Sequence, residues 1–259
     1  MPAPAAAAVP TRGRRRYPYV LLALFLVALG VSAIKPWDVK NWLMENALTG
    51  VFVLLLVLSR RRLPLSNVSY TLIFVFLSLH VIGSHYSYSR VPYDGWFRAL
   101  SGGRGFDDVF GWRRNHFDRV VHFAFGLLLA YPIRELFLRV VGVRGFWGYY
   151  LPLDVTMSFS MVYELVEWGA AFAFGGELGM AYLGTQGDEW DAHRDMALAT
   201  VGAVIAMSVV AFINWKYDRD FADEFRQSLA VKRSEPLGEV RLREMMAEGA
   251  RTNGRSGNS

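Results

Sequence analysis

The 259-residue chain contains no cysteine, which excludes disulfides, thiolate nucleophiles and cysteine metal ligands. It has no internal repeat of useful length and no HExxH zinc signature. Sequence outside long apolar runs is scarce, so little remains for a soluble domain. What is abundant is apolar surface: 53% of residues are hydrophobic and 15% aromatic, both high for a soluble domain. The net charge of +5 comes largely from arginine clusters beside the apolar runs. That placement fits cytoplasmic loops against anionic lipid and argues against nucleic acid as a partner.

A membrane-crossing helix needs about 20 apolar residues, and the chain has room for about six. The sequence predicts an all-α polytopic membrane protein with spans near Pro18–Ile34, Leu43–Ser59, Val68–His85, Phe117–Val141, Leu151–Phe174 and Asp191–Trp215. Residues 1–17 are expected to form a disordered N-terminus, 18–217 the six-helix domain with an extracytoplasmic loop at 86–115, and 218–259 a charged, partly disordered tail. The first apolar run is long and followed by Lys35-Pro36-Trp37 rather than a small-residue cleavage site, so it reads as an uncleaved span. Arg12–Arg16, Arg60–Arg62, Arg134/Arg139/Arg144 and Lys216/Arg219 fall on one side, which places both termini in the cytoplasm. Arg90, Arg98, Arg104, Arg113 and Arg114 in the outer loop argue the other way, but four basic clusters outweigh one. Gly126, Gly169, Ala170, Ala171, Gly202 and Ala203 are expected to permit close helix packing.

Ionisable groups within hydrocarbon cost about 2.5–3.5 kcal/mol each on insertion scales, so they should face a cavity or one another. With the expected topology, His80 and His85 lie in the outer half of the third span, and Asp118 and His122 in the first turns of the fourth. Glu164 and Glu167 lie roughly 18–22 Å along the fifth, again in its outer half. Asp188, Asp191 and Asp195 open the sixth. The pairs Asp118/His122 and Glu164/Glu167 each share a helix face. Nitrogen and oxygen donors without sulfur suit Zn, Mn, Fe or Mg. Two readings stay open for this convergence: a metal or substrate site, or a self-neutralising network around buried water. Gly184 and Gly187 flank Thr185-Gln186 in an expected tight turn. Glu135 and Arg139 read as a structural ion pair.

The segments HYSYSRVP (85–92), RRNHFDRVVHF (113–123), YELVEW (163–168) and LGTQGDEWDAHRDM (183–196) resemble the YjdF-type family of bacterial inner-membrane proteins. The likeness runs from about Trp37 to Trp215 and implies a bacterial plasma-membrane protein with about six spans. It marks His85, Asn115, His116, Asp118, Arg119, His122, Glu164, Glu167, Gln186, Asp188, Asp191 and Asp195. Phe125 stands where a glutamine is expected, and His193-Arg194 where a Gln-Trp pair is expected.

The leading expectation is a pocket toward the outer leaflet that acts on or binds a lipid or lipid-linked substrate with a divalent metal. His116, His122, Asp188 and Asp191 are the metal candidates, and Glu164 or Glu167 the general base. Arg114 and Arg119 are candidates for holding phosphate, with Gln186 and Asp195 also facing substrate. A non-catalytic membrane scaffold and a proton-coupled transporter are the competing readings.

Overall fold

The computed structural model describes residues 12–174, 185–218, 220–232 and 237–256, and every element among them is helical. Six long helices occupy the expected ranges: α1 (Arg12–Ser32), α2 (Val39–Ser59), α3 (Asn67–His85), α6 (Phe117–Leu136), α7 (Trp147–Phe174) and α8 (Asp191–Tyr217). Short helices α4 (Tyr93–Leu100) and α5 (Phe106–Phe110) fold the loop between α3 and α6. Beyond α8 lie α9 (Phe221–Ser228) and α10 (Leu237–Ser256), so helix continues past Gly249, where disorder is expected from composition. The N-terminal run up to residue 11, Arg219 and Pro236 lie outside the described residues.

Among the described residues, α2, α3, α6 with its π-helical extension Phe137–Val141, and α8 are long and apolar enough to cross a membrane. Helix α7 spans 28 residues but carries Asp154, Glu164 and Glu167, which lower its apolarity. Side-chain caps start two of the helices. Asp38 accepts from the N–H groups of Lys40 and Asn41 at 2.8 and 3.0 Å, and Ser66 accepts from Ser69 N–H at 3.2 Å.

Helix α2 has the inverse of a soluble amphipathic pattern. Its buried residues are Asn41, Glu45 and Thr49, spaced four apart on one face. Leu43, Leu54 and Leu58 point outward. A helix that buries its polar stripe and exposes its leucines is stable only where the surroundings are apolar.

The most extensive helix contact joins α6 to α8. A Cβ on Gly126 would strike the Ala199 carbonyl, and one on Gly202 would strike the Phe123 carbonyl. Backbones that close require glycine at both positions, as small-residue packing between membrane helices demands. Gly169 departs from that expectation, because a Cβ there would meet nothing within 4 Å. Trp168 and Phe172 beside it are exposed.

Contacts along the helices order the two ends. At one end Glu135 accepts from Ser66 N–H and Ser69 Oγ and pairs with Arg139 at 2.9 Å, while Asn214 donates to Tyr149 Oη at 2.7 Å. Between the ends the core is apolar, built on Phe25, Ile73, Leu77 and Leu129 and on Ala130, Ala203, Ala206 and Met207. At the other end α2, α6 and α8 begin and α3 finishes, and there the polar residues gather.

Candidate functional site

Three layers of side chains stack at this end. The outermost is the 86–115 loop. Phe97 stacks on Phe106 at 4.1 Å, Phe110 on Trp112 at 4.8 Å, and Trp112 lies 4.4 Å from the His116 ring. Asn115 fastens this roof: its Nδ2 donates to the Val91 carbonyl at 2.8 Å and its Oδ1 accepts from Phe117 N–H at 3.0 Å. Arg98 is held by Asp94 and Asp108, each at 2.6 Å. Both of those carboxyls lie below their ordinary range, chiefly because backbone N–H groups of Asp107 and Gly105 donate to them.

Beneath it is a layer of arginines and aspartates. Arg114 Nη2 lies 2.8 Å from Asp191 Oδ1 and Nη1 3.3 Å from Asp188 Oδ2. Arg119 Nη2 bridges the same two carboxylates at 2.6 Å (Asp188) and 3.3 Å (Asp191), and Arg194 also pairs with Asp188. Burial tends to raise the Asp188 carboxyl, but the Trp190 N–H and the Arg194 and Arg119 guanidiniums hold it below its usual range. Arg119 Nη1 donates to His116 Nδ1 at 3.2 Å. Burial and the charges of Arg119 and Arg114 push His116 below its ordinary value, so its imidazole is neutral with the proton on Nε2. Among the described residues, the buried Nε groups of Arg114 and Arg119 have no acceptor.

Deepest lies an acid–imidazole cluster. One ligand atom each from Asp118, His122 and Asp195 falls within 4.8 Å of the others. Two donors on a common cation at about 2.0–2.4 Å sit at most about 4–5 Å apart, so this spacing suits a shared ion. His122 Nε2 is 3.6 Å from Asp118 Oδ1 and 3.7 Å from Glu164 Oε1. Asp195, only 3% exposed, has Oδ1 without a hydrogen-bond partner, as does Glu164 at Oε1. Glu167 interacts electrostatically with Asp118, Glu164, Glu45 and Asp195. Three carboxyl groups therefore stand beside one imidazole, and Glu167 and Glu45 interact with them from further out, a composition that calls for protons or a cation.

The expected residues thus separate into layers. Glu164, Glu167, His122 and Asp195 come together deep in the bundle, joined by Asp118. Asp188, Asp191, Arg114, Arg119 and His116 form the layer above. Gln186 clamps the Asn115 backbone, accepting from its N–H at 3.1 Å and donating to its carbonyl at 3.0 Å. These bonds hold Gln186 at φ 47° beside Gly187 at φ 84°, a turn that favours glycine at its second position. Gly184, the other expected turn residue, lies outside the described residues.

Helix α3 brings His80 and His85 to this end of the bundle but adds neither to the acid cluster. His80 is buried between Thr49 Oγ1 at 2.8 Å and Tyr88 Oη at 2.5 Å, and His85 Nδ1 bonds the Ser32 carbonyl at 2.8 Å. Helix α2 takes its place: Glu45, 4% exposed, accepts from Tyr163 Oη at 3.1 Å. Glu45 was legible, since a lone acid inside an apolar run is itself a site signal.

Fold and site together define a multi-pass helical membrane protein with a buried acid–imidazole cluster at one end. Residues 17–216 match the family model described as predicted membrane protein DUF2238, and the chain belongs to that family. It is similar to the inner membrane protein YjdF of Escherichia coli (strain K12), 36% identical over 203 residues that cover 77% of this chain and 90% of that protein. No solved structure matches.

Proposed function

We propose that the pocket binds a divalent cation through Asp118, His122 and Asp195 and acts on a phosphate-bearing lipid at the outer leaflet, with both termini cytoplasmic. The supporting observation is the ligand-like grouping of these three residues around a buried carboxylate oxygen that has no partner. Oxygen and nitrogen donors favour Zn, Mn, Fe or Mg. The unsatisfied Nε groups of Arg114 and Arg119 supply donors for a phosphate above the cation. Glu164 or Glu167 takes a proton from water, the water oxygen attacks phosphorus, and the ester P–O bond breaks as the same carboxyl returns that proton to the leaving oxygen. The orientation rests on the arginine clusters at the opposite end.

The test is metal content of detergent-purified protein together with calorimetric titration of Mn²⁺ and Zn²⁺. Loss of a supporting residue around a metal ligand costs about 10–100-fold in affinity, so Asp195→Asn, which alters a ligand, should weaken binding by more than about 100-fold. Glu164→Gln should retain the metal and lose phosphate release from phosphatidic acid in mixed micelles. A wild-type protein that binds no divalent ion, or an Asp195→Asn variant that binds as well, overturns the reading. A second reading is favoured by one observation: Asp188 and Asp191 are already paired with arginines. On that reading the upper layer is a structural clasp of a non-catalytic scaffold, and metal binding without turnover would be its signature.

A further inference from the structure

We infer that the segment formed by α4 and α5 is immersed in the lipid leaflet at the acid end of the bundle, with the outward face of α4 against lipid. Among the described residues two eight-residue helices lie outside the spans, α4 and α9, and they turn opposite faces outward. Helix α9 has the pattern of a helix in water. Phe221 and Phe225 turn inward onto Tyr149 and Phe146, while Ala222, Asp223, Arg226 and Gln227 are exposed. Helix α4 inverts it. Its exposed residues are Gly95, Trp96, Ala99 and Leu100, an uncharged stripe along one face. Both of its charged residues, Asp94 and Arg98, stand on the other side and pair there, Arg98 also with Asp108 of α5. Leu100 is 87% exposed, and α5 adds Val109 at 59% and Phe110 at 58%.

The position of the segment selects lipid as the occupant. It joins α3 to α6, two helices long and apolar enough to cross a membrane, so it starts and finishes at a membrane boundary. Trp96 packs on Tyr86 at 6.1 Å, directly beyond the last turn of α3, which holds the stripe beside the spans. The exposed Trp37 and Trp190 stand at the same end, and tryptophans gather at the level of lipid headgroups. The other side of the segment is already used: Phe106 stacks on Phe97, and Trp112 lies against His116. An apolar stripe turned away from the protein, with the charges turned toward it, loses its transfer free energy in water and regains it when the helix lies in the interface. Arg104, exposed in the turn between α4 and α5, suits an anionic leaflet.

The chain has no cysteine, so an introduced one carries the only thiol. Full-length Leu100→Cys and Val109→Cys are labelled with bimane and reconstituted into phosphatidylethanolamine–phosphatidylglycerol vesicles. Fluorescence is then quenched with brominated acyl chains or with aqueous iodide on both sides of the bilayer. Brominated lipid should quench both probes, and iodide should lose most of the quenching it gives with a bimane–glutathione adduct. Trp96→Glu/Phe110→Glu, with the probe at Val109, should lift the segment from the leaflet, so that lipid quenching falls and iodide quenching returns. Iodide quenching of both single-cysteine proteins at the level of the free adduct overturns the proposal. So does protection from iodide without lipid quenching, the signature of a second copy or another protein on this face, and so does unchanged quenching in the glutamate variant. These readouts need neither metal nor substrate, so the outcome is independent of the reading proposed for the acid–imidazole cluster.

Discussion

The two ends of the bundle solve the same problem in opposite ways. At the end holding Glu135, one carboxylate meets Ser66, Ser69 and a partly exposed Arg139, and the nearby Arg61 and Arg62 are exposed. At the other end Arg114, Arg119, Asp188 and Asp191 neutralise one another within the protein, and a carboxylate cluster lies deeper still. Charge at a boundary needs only solvent, whereas charge inside needs a partner of fixed geometry. The same chemical groups should therefore carry very different energetic weight at the two ends.

Truncation of an arginine at each end tests that directly. Arg119→Ala leaves Asp188 and Asp191 short of a counter-charge inside the protein and should cost about 3 kcal/mol, whereas Arg139→Ala removes an exposed pair and should cost about 0.5 kcal/mol. Equal losses in thermal unfolding in detergent would remove the distinction. A second contrast lies in packing. Gly126→Ala forces α6 from α8 and should cost about 2 kcal/mol, while Gly169→Ala, with open space around it, should stay within about 0.5 kcal/mol of wild type. The smallest effect expected is pH dependence of the upper layer. His116 and Asp188 both titrate lower in the folded protein, so each adds stability at neutral pH. That stability is lost as pH falls below 6.5 for His116 and below 3.8 for Asp188. Asp188→Asn should remove the second step and leave the first; a variant with both steps intact would assign the acid sensitivity elsewhere.

The positions of the six long helices were legible because length and apolarity are local properties. The expected span starts at Leu43, Val68, Phe117 and Asp191 lie within four residues of the observed helix starts. The 86–115 segment was legible as a break between two spans, whereas the partners of its arginines were not. Counted along the chain, Arg98 and Arg114 weigh against an outer position, yet each is paired with carboxylates, Arg114 with partners more than seventy residues away. The site was half legible. Pairs on one helix, Asp118 with His122 and Glu164 with Glu167, follow from helical spacing alone. Whether Asp188 or Asp195 faces His122 depends on where α8 begins and how it rotates, and that is set by the glycine-mediated contact with α6.

From its residues alone the chain specifies membrane helices, their order and the depth at which each polar group sits, because hydrophobic length and a 1.5 Å rise per residue require no neighbours. The tertiary structure alone decides which of those groups share a layer. It brings Glu45 of α2 to the acids, leaves His80 bonded between Thr49 and Tyr88, and gives Asp188 to three arginines. Rotation of a helix about its axis moves a side chain across the bundle without changing its depth, and packing at Gly126 and Gly202 sets that rotation.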